Sequence, residues 1–361
     1  MTDPRVEAYA RLLVERCVDV QPGWQVAVAS GPLARPLVVE VIRLIARRGA
    51  YALPRMSVTE ALVPGDPTWA AEAPEDLLRE LPPVERAFWD AIDASIFITA
   101  SENTREGSNV SPERQALLRA AMLPVLPKLL TYEVKWVGCM YPTPAIAQDA
   151  GMTTAAFADF LYGACLRDWD AEGERMQRIA DCFDAGDEVR IVGTDTDISF
   201  SLAGRHGQVD AGSANMPAGE VFYSPVEDSA NGVVTFAEYP ACSGGFQLRG
   251  VRLAFTDGVV VEASAKNDED YLLKTLDTDE GARRLGEFGI GCNEGIDRAY
   301  GNPLFDEKIY GTVHLAIGAG FPLLGGTNES AVHWDMVKEL RNGGEIWLDD
   351  ELVQKNGEWQ F

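Results

Sequence analysis

The chain is poor in basic side chains and in long apolar runs, and each of these two shortages excludes a class of protein. Thirty-one lysine and arginine residues stand against 56 acidic ones, giving a formal charge of −25. This excludes a nucleic-acid binder, which needs a surplus of basic groups to neutralise phosphates. No run approaches the ~20 apolar residues of a membrane span, and the N-terminus carries charges where a secretory signal has an apolar core. We therefore expect a soluble, cytoplasmic protein with no nucleic-acid or membrane partner.

The six cysteines are scattered along the chain and form no CxxC pair. A structural zinc site of the thiolate type needs clustered cysteines, so this class of site is excluded as well. We interpret the cysteines as reduced, mostly buried thiols.

The first half of the sequence alternates helical and strand patterns. Amphipathic helices are predicted over residues 4–17 and 34–49, and strands over 23–30 and 94–101. Residues 152–183 then predict a long helical stretch that ends this part of the chain. Such alternation is typical of an α/β layer.

After Gly186 the pattern changes to short alternating strands separated by turns such as Asp257-Gly258. This pattern predicts antiparallel sheet with a few helices. A chain of 361 residues also exceeds one ordinary core. The fold prediction is an α/β N-terminal domain over residues 1–185, followed by an α+β domain rich in antiparallel strands over 186–361.

Two of the three histidines, His314 and His333, lie in this strand-rich half. His333 and Asp335 are two positions apart, so on a strand both side chains point to one face and can bind a single cation. His314 lies in the pattern GTVHLAIG, whose alternating apolar residues point to the opposite face, into a core. The remaining histidine, His206, lies in a glycine-flanked turn, and we assign it no role.

Four segments of the second half place a potential ligand among small residues, which let backbone and substrate approach closely. They are 216–222 (MPAGEVF), 285–291 (LGEFGIG), 311–318 (GTVHLAIG) and 328–335 (NESAVHWD). In this order and spacing they resemble the M29 family of metallo-aminopeptidases, the thermophilic aminopeptidase T group. The resemblance extends over the whole chain, and the stretch from Asn293 through Asp306-Glu307-Lys308 to Thr312 strengthens it.

The resemblance implies that the C-terminal domain is catalytic, that the protein is a homodimer, and that a two-metal centre is bound by Glu220, Glu287, His314, His333 and Asp335. Carboxylates and imidazoles suit Zn²⁺, Co²⁺ or Mn²⁺. Two such cations about 3.5–4 Å apart can share a water of lowered pKa that attacks a peptide carbonyl. The predicted substrates are peptides with a free N-terminus, whose amine binds a metal or a nearby carboxylate.

One position departs from the family pattern. The family has a tyrosine at the metal site seven residues after the histidine of GT-x-H-x-A-x-G, and this chain has Phe321 there. The change removes a phenol that can ligate a metal or hydrogen-bond to a tetrahedral oxyanion. Tyr310, four residues before His314, is a candidate substitute, against the interpretation that it packs in a strand.

Two alternative functions stay open. The first is a mononuclear Fe(II) ring-cleaving dioxygenase of the same fold, which uses two histidines and an aspartate. The resemblance to that dioxygenase group places a histidine where this chain has Glu287. The second carboxylate of this chain therefore favours hydrolysis. The missing phenol at Phe321 is also compatible with a metal-binding dimeric module without peptidase activity. We interpret Lys308 as a salt-bridged lysine at a strand end rather than a substrate contact.

Overall fold

The computed structural model describes residues 3–57 and 66–361, which form two compact units. The first unit comprises Met1–Leu166 and Gly212–Pro217, and the second Arg167–Ala211 and Ala218–Phe361. This division differs from the boundary predicted at residue 185. The helix before that boundary belongs to the second unit, because Phe183 lies in that unit's hydrophobic core.

The α-helices among the described residues are short, and most begin with a proline or a capping side chain. In chain order they are α1 Pro4–Arg11, α2 Arg35–Arg47, α3 Pro67–Glu72, α4 Glu75–Leu78, α5 Pro83–Ala91, α6 Pro112–Ala121, α7 Leu126–Leu130, α8 Pro144–Asp149, α9 Thr154–Cys165, α10 Trp169–Asp184, α11 Glu269–Leu276 and α12 Pro303–Asp306. A π-helical turn, Leu12–Cys17, continues α1.

The stretch predicted as one long helix over residues 152–183 is two helices, α9 and α10. The break falls at Leu166, because the Asp168 side chain accepts hydrogen bonds from the backbone N–H groups of Asp170 and Ala171 and so begins a new helix. The boundary between the two units lies in this break.

The strands of the second unit outnumber those of the first. In chain order the strands are β1 Gln25–Ser30, β2 Tyr51–Met56, β3 Ala94–Thr99, β4 Lys135–Met140, β5 Glu188–Gly193, β6 Thr196–Ser201, β7 Gln208–Asp210, β8 Asn215–Met216, β9 Glu220–Tyr223, β10 Asn231–Phe236, β11 Ala241–Ser243, β12 Phe246–Leu248, β13 Val251–Thr256, β14 Val259–Ser264, β15 Leu285–Gly291, β16 Thr312–Gly318, β17 His333–Glu339, β18 Glu345–Leu348, β19 Glu351–Lys355 and β20 Glu358–Trp359.

The first unit is built on a five-stranded sheet in the order β2-β1-β3-β4-β8, and every neighbouring pair is parallel. Parallel neighbours need crossover connections, which α2 and α5 supply between the first three strands. The predicted α/β N-terminal layer is confirmed.

The second unit contains an eight-stranded sheet, β14-β13-β10-β6-β5-β18-β19-β20, and a five-stranded sheet, β17-β16-β15-β9-β7, whose paired strands run antiparallel. Their side chains meet in a shared core, where the ring of Phe288 on β15 lies 5.1 Å from that of Phe200 on β6 and 5.8 Å from that of Phe183 on α10. The α+β prediction for this half is confirmed. The core side of the five-stranded sheet is mostly apolar, and the buried Lys338 of β17 on that side is paired with Glu238.

The six cysteines are in the reduced thiol form, and Cys17, Cys139, Cys165 and Cys292 are buried, as the sequence predicts. Among the helices of the described residues, none is long and apolar enough to cross a membrane.

Candidate metal centre

One face of the five-stranded sheet collects every ligand that the resemblance implies. Four neighbouring strands contribute them: Glu220 from β9, Glu287 from β15, His314 from β16, and His333 and Asp335 from β17. Directly paired residues of an antiparallel sheet point to the same face. Ala316 pairs with both Glu287 and Asp335, so the two carboxylates lie on either side of a single methyl group.

The opposite face of β16 confirms the strand orientation expected from the sequence. Val313, Leu315 and Ile317 belong to the hydrophobic core of the second unit. Because side chains alternate along a strand, burial of these three residues forces His314 onto the ligand face. The imidazole is held at 1% exposure there.

Glycines make room for the ligands. Gly289 pairs with His314 across β15 and β16, and a Cβ atom at Gly289 would lie 2.0 Å from the imidazole ring. Gly219 precedes Glu220 with a φ of +115°, and a Cβ there would lie 2.8 Å from the Cβ of Asn293. A side chain at Gly289 would therefore displace the His314 ring, and one at Gly219 would displace the strand that carries Glu220.

Glu287 lies between the two histidines. Its Oε1 is 3.4 Å from Nε2 of His314, and its Oε2 is 3.0 Å from Nε2 of His333. On the far side of His314, Glu220 Oε2 is 3.6 Å from the same Nε2. On the far side of His333, Asp335 Oδ2 is 3.6 Å from that ring's Nε2. The cluster thus has two halves joined by one carboxylate.

The other nitrogen of each imidazole is engaged by the backbone. His314 Nδ1 lies 3.1 Å from the carbonyl oxygen of Glu307, and His333 Nδ1 lies 2.9 Å from that of Ala319. A carbonyl can only accept, so each Nδ1 must carry the proton that it donates. In a neutral ring this leaves Nε2 as the lone-pair nitrogen, pointing into the cluster, as in metal-ligating histidines.

Two further charged residues, Glu307 and Lys308, lie beside the proposed ligands. Lys308 is fully buried, with Nζ 3.1 Å from Glu220 Oε1 and 3.3 Å from Glu307 Oε2. A salt-bridged lysine is what the sequence predicts, but its position beside a candidate ligand was not foreseen, nor was the Glu307 carboxylate. The sequence signal that could have identified both residues is the match of Asp306-Glu307-Lys308 to the family pattern.

Burial and close charges shift the pKa values of these groups. Burial by itself lowers the pKa of His314 and of His333, but their contacts with Glu287 outweigh it and raise the pKa values to about 9 and about 10. Burial by itself raises the pKa of Glu287, but both imidazoles hold it down at about 2. The pKa of Glu307 is raised to about 8 by burial and by Asp335, and burial also raises that of Asp335.

The donor set fits a divalent cation. One ligand atom from each of Glu287, His333 and Asp335 lies within 4.8 Å of the others. Within the part of the chain that the structure describes, two buried carboxylate oxygens here, Glu220 Oε2 and Asp335 Oδ1, have no hydrogen-bond partner. Unsatisfied buried carboxylate oxygens are costly unless a cation or a donor meets them. Oxygen and nitrogen ligands without cysteine suit Zn²⁺, Co²⁺ or Mn²⁺.

Phe321, where the resemblance implies a tyrosine, lies at the edge of the cluster. Its ring centroid is 5.3 Å from that of His333, whose side chain is 33% exposed, and 5.3 Å from that of Phe222. The hydroxyl of Tyr310, the other phenol considered from the sequence, lies 3.5 Å from Glu358 Oε2. His206 is an exposed loop residue, as predicted.

The chain is similar in sequence to known proteins over most of its length. The family model described as thermophilic metalloprotease (M29) matches residues 2–359. Aminopeptidase 2 of Geobacillus stearothermophilus is 27% identical, with 99% of this chain and 98% of that protein covered. Aminopeptidase T of Thermus aquaticus is 37% identical over 137 residues, covering 34% of this chain and 33% of that protein.

Two solved structures share the fold over nearly the whole chain. Wild-type AmpT from Thermus thermophilus has a TM-score of 0.81 at 22% identity, with 99% of both chains covered. The 2,5-dihydroxypyridine dioxygenase of Pseudomonas putida KT2440 has a TM-score of 0.61 at 14% identity, with 98% of this chain and 96% of that chain covered. At these identities the similarity concerns the fold.

Metal binding is expected to release protons at neutral pH. In the metal-free protein the raised pKa values keep His314 and His333 protonated, and each must lose its Nε2 proton to bind a cation. The apparent affinity for Zn²⁺ should therefore rise between about pH 6 and pH 9. Calorimetric titration at pH 7 in two buffers of different ionisation enthalpy measures the released protons. An affinity that does not change with pH would contradict the assignment of the two imidazoles.

Proposed function

The chain belongs to the M29 family of thermophilic metalloproteases, and we propose that it removes N-terminal residues from peptides at a centre of two divalent cations. It is a metal-dependent aminopeptidase, a hydrolase. The ligands we propose are Glu220, Glu287, His314, His333 and Asp335. Zinc, cobalt or manganese as the cations, a homodimer, and a cytoplasmic location are further parts of the proposal.

The position of the Glu287 carboxylate carries the proposal of two cations. Its two oxygens face different imidazoles, at 3.4 and 3.0 Å, so the cluster has one histidine on each side of a shared carboxylate. Glu220 completes one half and Asp335 the other. Two neighbouring cations repel each other, and an anionic group shared between them offsets that repulsion.

When bound, the cations would lower the pKa of a water molecule and polarise the peptide carbonyl. The protein's own residues orient the ligands for this task. The carbonyl groups of Glu307 and Ala319 hold the imidazole planes through Nδ1, and Lys308 anchors Glu220 through Oε1. The carboxylates of the cluster also favour the ammonium group of a peptide N-terminus, which selects exopeptidase over endopeptidase substrates.

The dioxygenase alternative has less support from the geometry. A mononuclear iron site with two histidines and one aspartate leaves Glu220 and Glu287 without a function. Both are almost fully buried, at 6% and 5% exposure, in contact with His314. Lys308 meets Glu220 Oε1, but among the described residues Glu220 Oε2 and Asp335 Oδ1 have no hydrogen-bond partner, and this supports a second cation.

We predict a stoichiometry of two cations per chain, because five proposed ligands exceed the three or four that one cation takes from a protein. The purified protein is reconstituted with zinc, cobalt or iron, desalted, and measured by elemental analysis. A ratio that never exceeds one per chain, with iron preferred over zinc and cobalt, would support the dioxygenase instead.

His333→Ala and Asp335→Ala should abolish hydrolysis of aminoacyl chromogenic substrates and weaken metal binding, while circular dichroism remains unchanged. The affinity loss should exceed the roughly 10–100-fold typical of losing a group that only supports a ligand. His206→Ala is the matched control, since it removes an exposed imidazole from the same unit. Turnover equal to wild type in either ligand variant at saturating metal would remove the pair from the site.

Phe321→Tyr should raise kcat with little change in KM. If the family's phenol stabilises the oxyanion, its return should increase turnover by a factor on the order of 10²–10³ and leave metal affinity unchanged. Tyr310→Phe, which removes a hydroxyl directed to Glu358, should leave the rate unchanged. An unaltered kcat in Phe321→Tyr would show that another group stabilises the oxyanion.

A further inference from the structure

The first unit contains a cavity that is unrelated to the five proposed metal ligands. Its volume is about 490 Å³, within the range of pockets that bind small organic molecules. It lies over one face of the parallel sheet, where Ala27 and Ala29 of β1 and Ser95 and Phe97 of β3 form the floor. Parallel sheets are ordinarily covered on both faces, yet Ala29 and Phe97 are only half-buried.

The position of the cavity in the sheet is one that binds ligands in α/β proteins. The strand β1 has β2 on one side and β3 on the other, so the order of strands reverses between them. The last residues of these strands, Ser30, Met56 and Thr99, line the cavity. In open α/β sheets, ligands bind at the carboxyl ends of strands where the order reverses.

The walls of the cavity are rich in aromatic rings. Trp89 and Phe97 are stacked at 6.3 Å with 30° between their planes, and Phe88 meets Trp89 edge-on at 6.1 Å. Trp69, Met56 and other large apolar residues of the lining are exposed at the mouth. Such rings favour a planar aromatic ligand, which can stack or meet them edge to face.

The charges of the lining disfavour an anion. Arg55 pairs with Glu85, with Nη1 2.9 Å from Oε2, and its guanidinium lies 4.3 Å from the Phe88 ring centroid. Asp66 and Glu80 also line the cavity, but the Asp66 carboxylate accepts hydrogen bonds from the backbone N–H groups of Thr68 and Trp69, and Glu80 is exposed to solvent. Ser95, at 1% exposure, supplies a hydroxyl to the floor. These features together select an uncharged ring with a hydrogen-bonding group.

We propose that this cavity binds a neutral aromatic molecule of one or two rings that carries a hydroxyl or N–H group. The site is additional to the proposed peptidase function and independent of it. None of the five proposed metal ligands belongs to the first unit.

Calorimetric titration of the full-length, metal-loaded protein with indole tests the proposal. Ala29→Phe fills the floor of the cavity and should abolish binding. Trp89→Ala removes a wall and should weaken binding on the order of 10-fold, the upper range for one aromatic contact. Tyr51→Ala is the matched control, because it removes an exposed ring of β2 outside the cavity. If Ala29→Phe does not fold, the indole affinity of Trp89→Ala relative to wild type tests the proposal.

Two further measurements separate the possible sources of an indole signal. Binding should survive chelation of the metals, whereas binding at the metal centre would not. Phenol should bind more tightly than cyclohexanol, which has the same hydroxyl on a saturated ring of equal size. No indole binding up to about 1 mM, or equal binding by Trp89→Ala and wild type, would overturn the proposal. Equal affinity for phenol and cyclohexanol would overturn its aromatic specificity.

Discussion

Buried negative charge on one sheet face is the constraint on which the second unit depends. Glu220, Glu287, Glu307 and Asp335 lie within a few side-chain contacts of one another, with two imidazoles and Lys308 as the neighbouring positive groups. Burial raises the pKa of Glu307 and of Asp335, and among the described residues Glu220 Oε2 and Asp335 Oδ1 have no hydrogen-bond partner. Divalent cations would supply the missing positive charge, and an M29 metalloprotease requires them.

The rest of the unit keeps these charges in place. The core-facing side chains of the five-stranded sheet pack against the eight-stranded sheet and α10, so the strands that carry the ligands cannot shift register without exposing apolar residues. Glycines on the other face, above all Gly289, leave space for the imidazoles. Backbone carbonyls then fix the ring orientations. A rigid sheet thus supplies the positioning that a metal site requires.

The two units offer contrasting environments for ligands. The second unit gathers oxygen and nitrogen donors, while the first presents stacked aromatic rings above a parallel sheet. At Phe321 an apolar ring, rather than the phenol that the resemblance implies, lies beside the proposed ligand His333. The proposed hydrolysis would therefore proceed without that hydroxyl.

Local patterns in the sequence determined much of the architecture. Alternating apolar residues predicted the strands and oriented His314, because a strand has a period of two and only one of its faces can enter the core. The change of pattern near Gly186 predicted an antiparallel second half, but not the unit boundary, since the core packing of Phe183 assigns α10 to the second unit. The resemblance supplied the five proposed ligands, because local spacing alone did not distinguish Glu220 and Glu287 among 56 acidic residues.

Only the tertiary structure decided which groups meet. The Glu287 carboxylate lies between two histidines from different strands, and Lys308 lies beside Glu220, because strand pairing joins segments far apart in the chain. The contact of Tyr310 with Glu358 and the cavity over β1 and β3 are likewise consequences of packing. Sequence periodicity describes which face of a strand a residue occupies, but distances between strands depend on register and order, and these are set by the whole core at once.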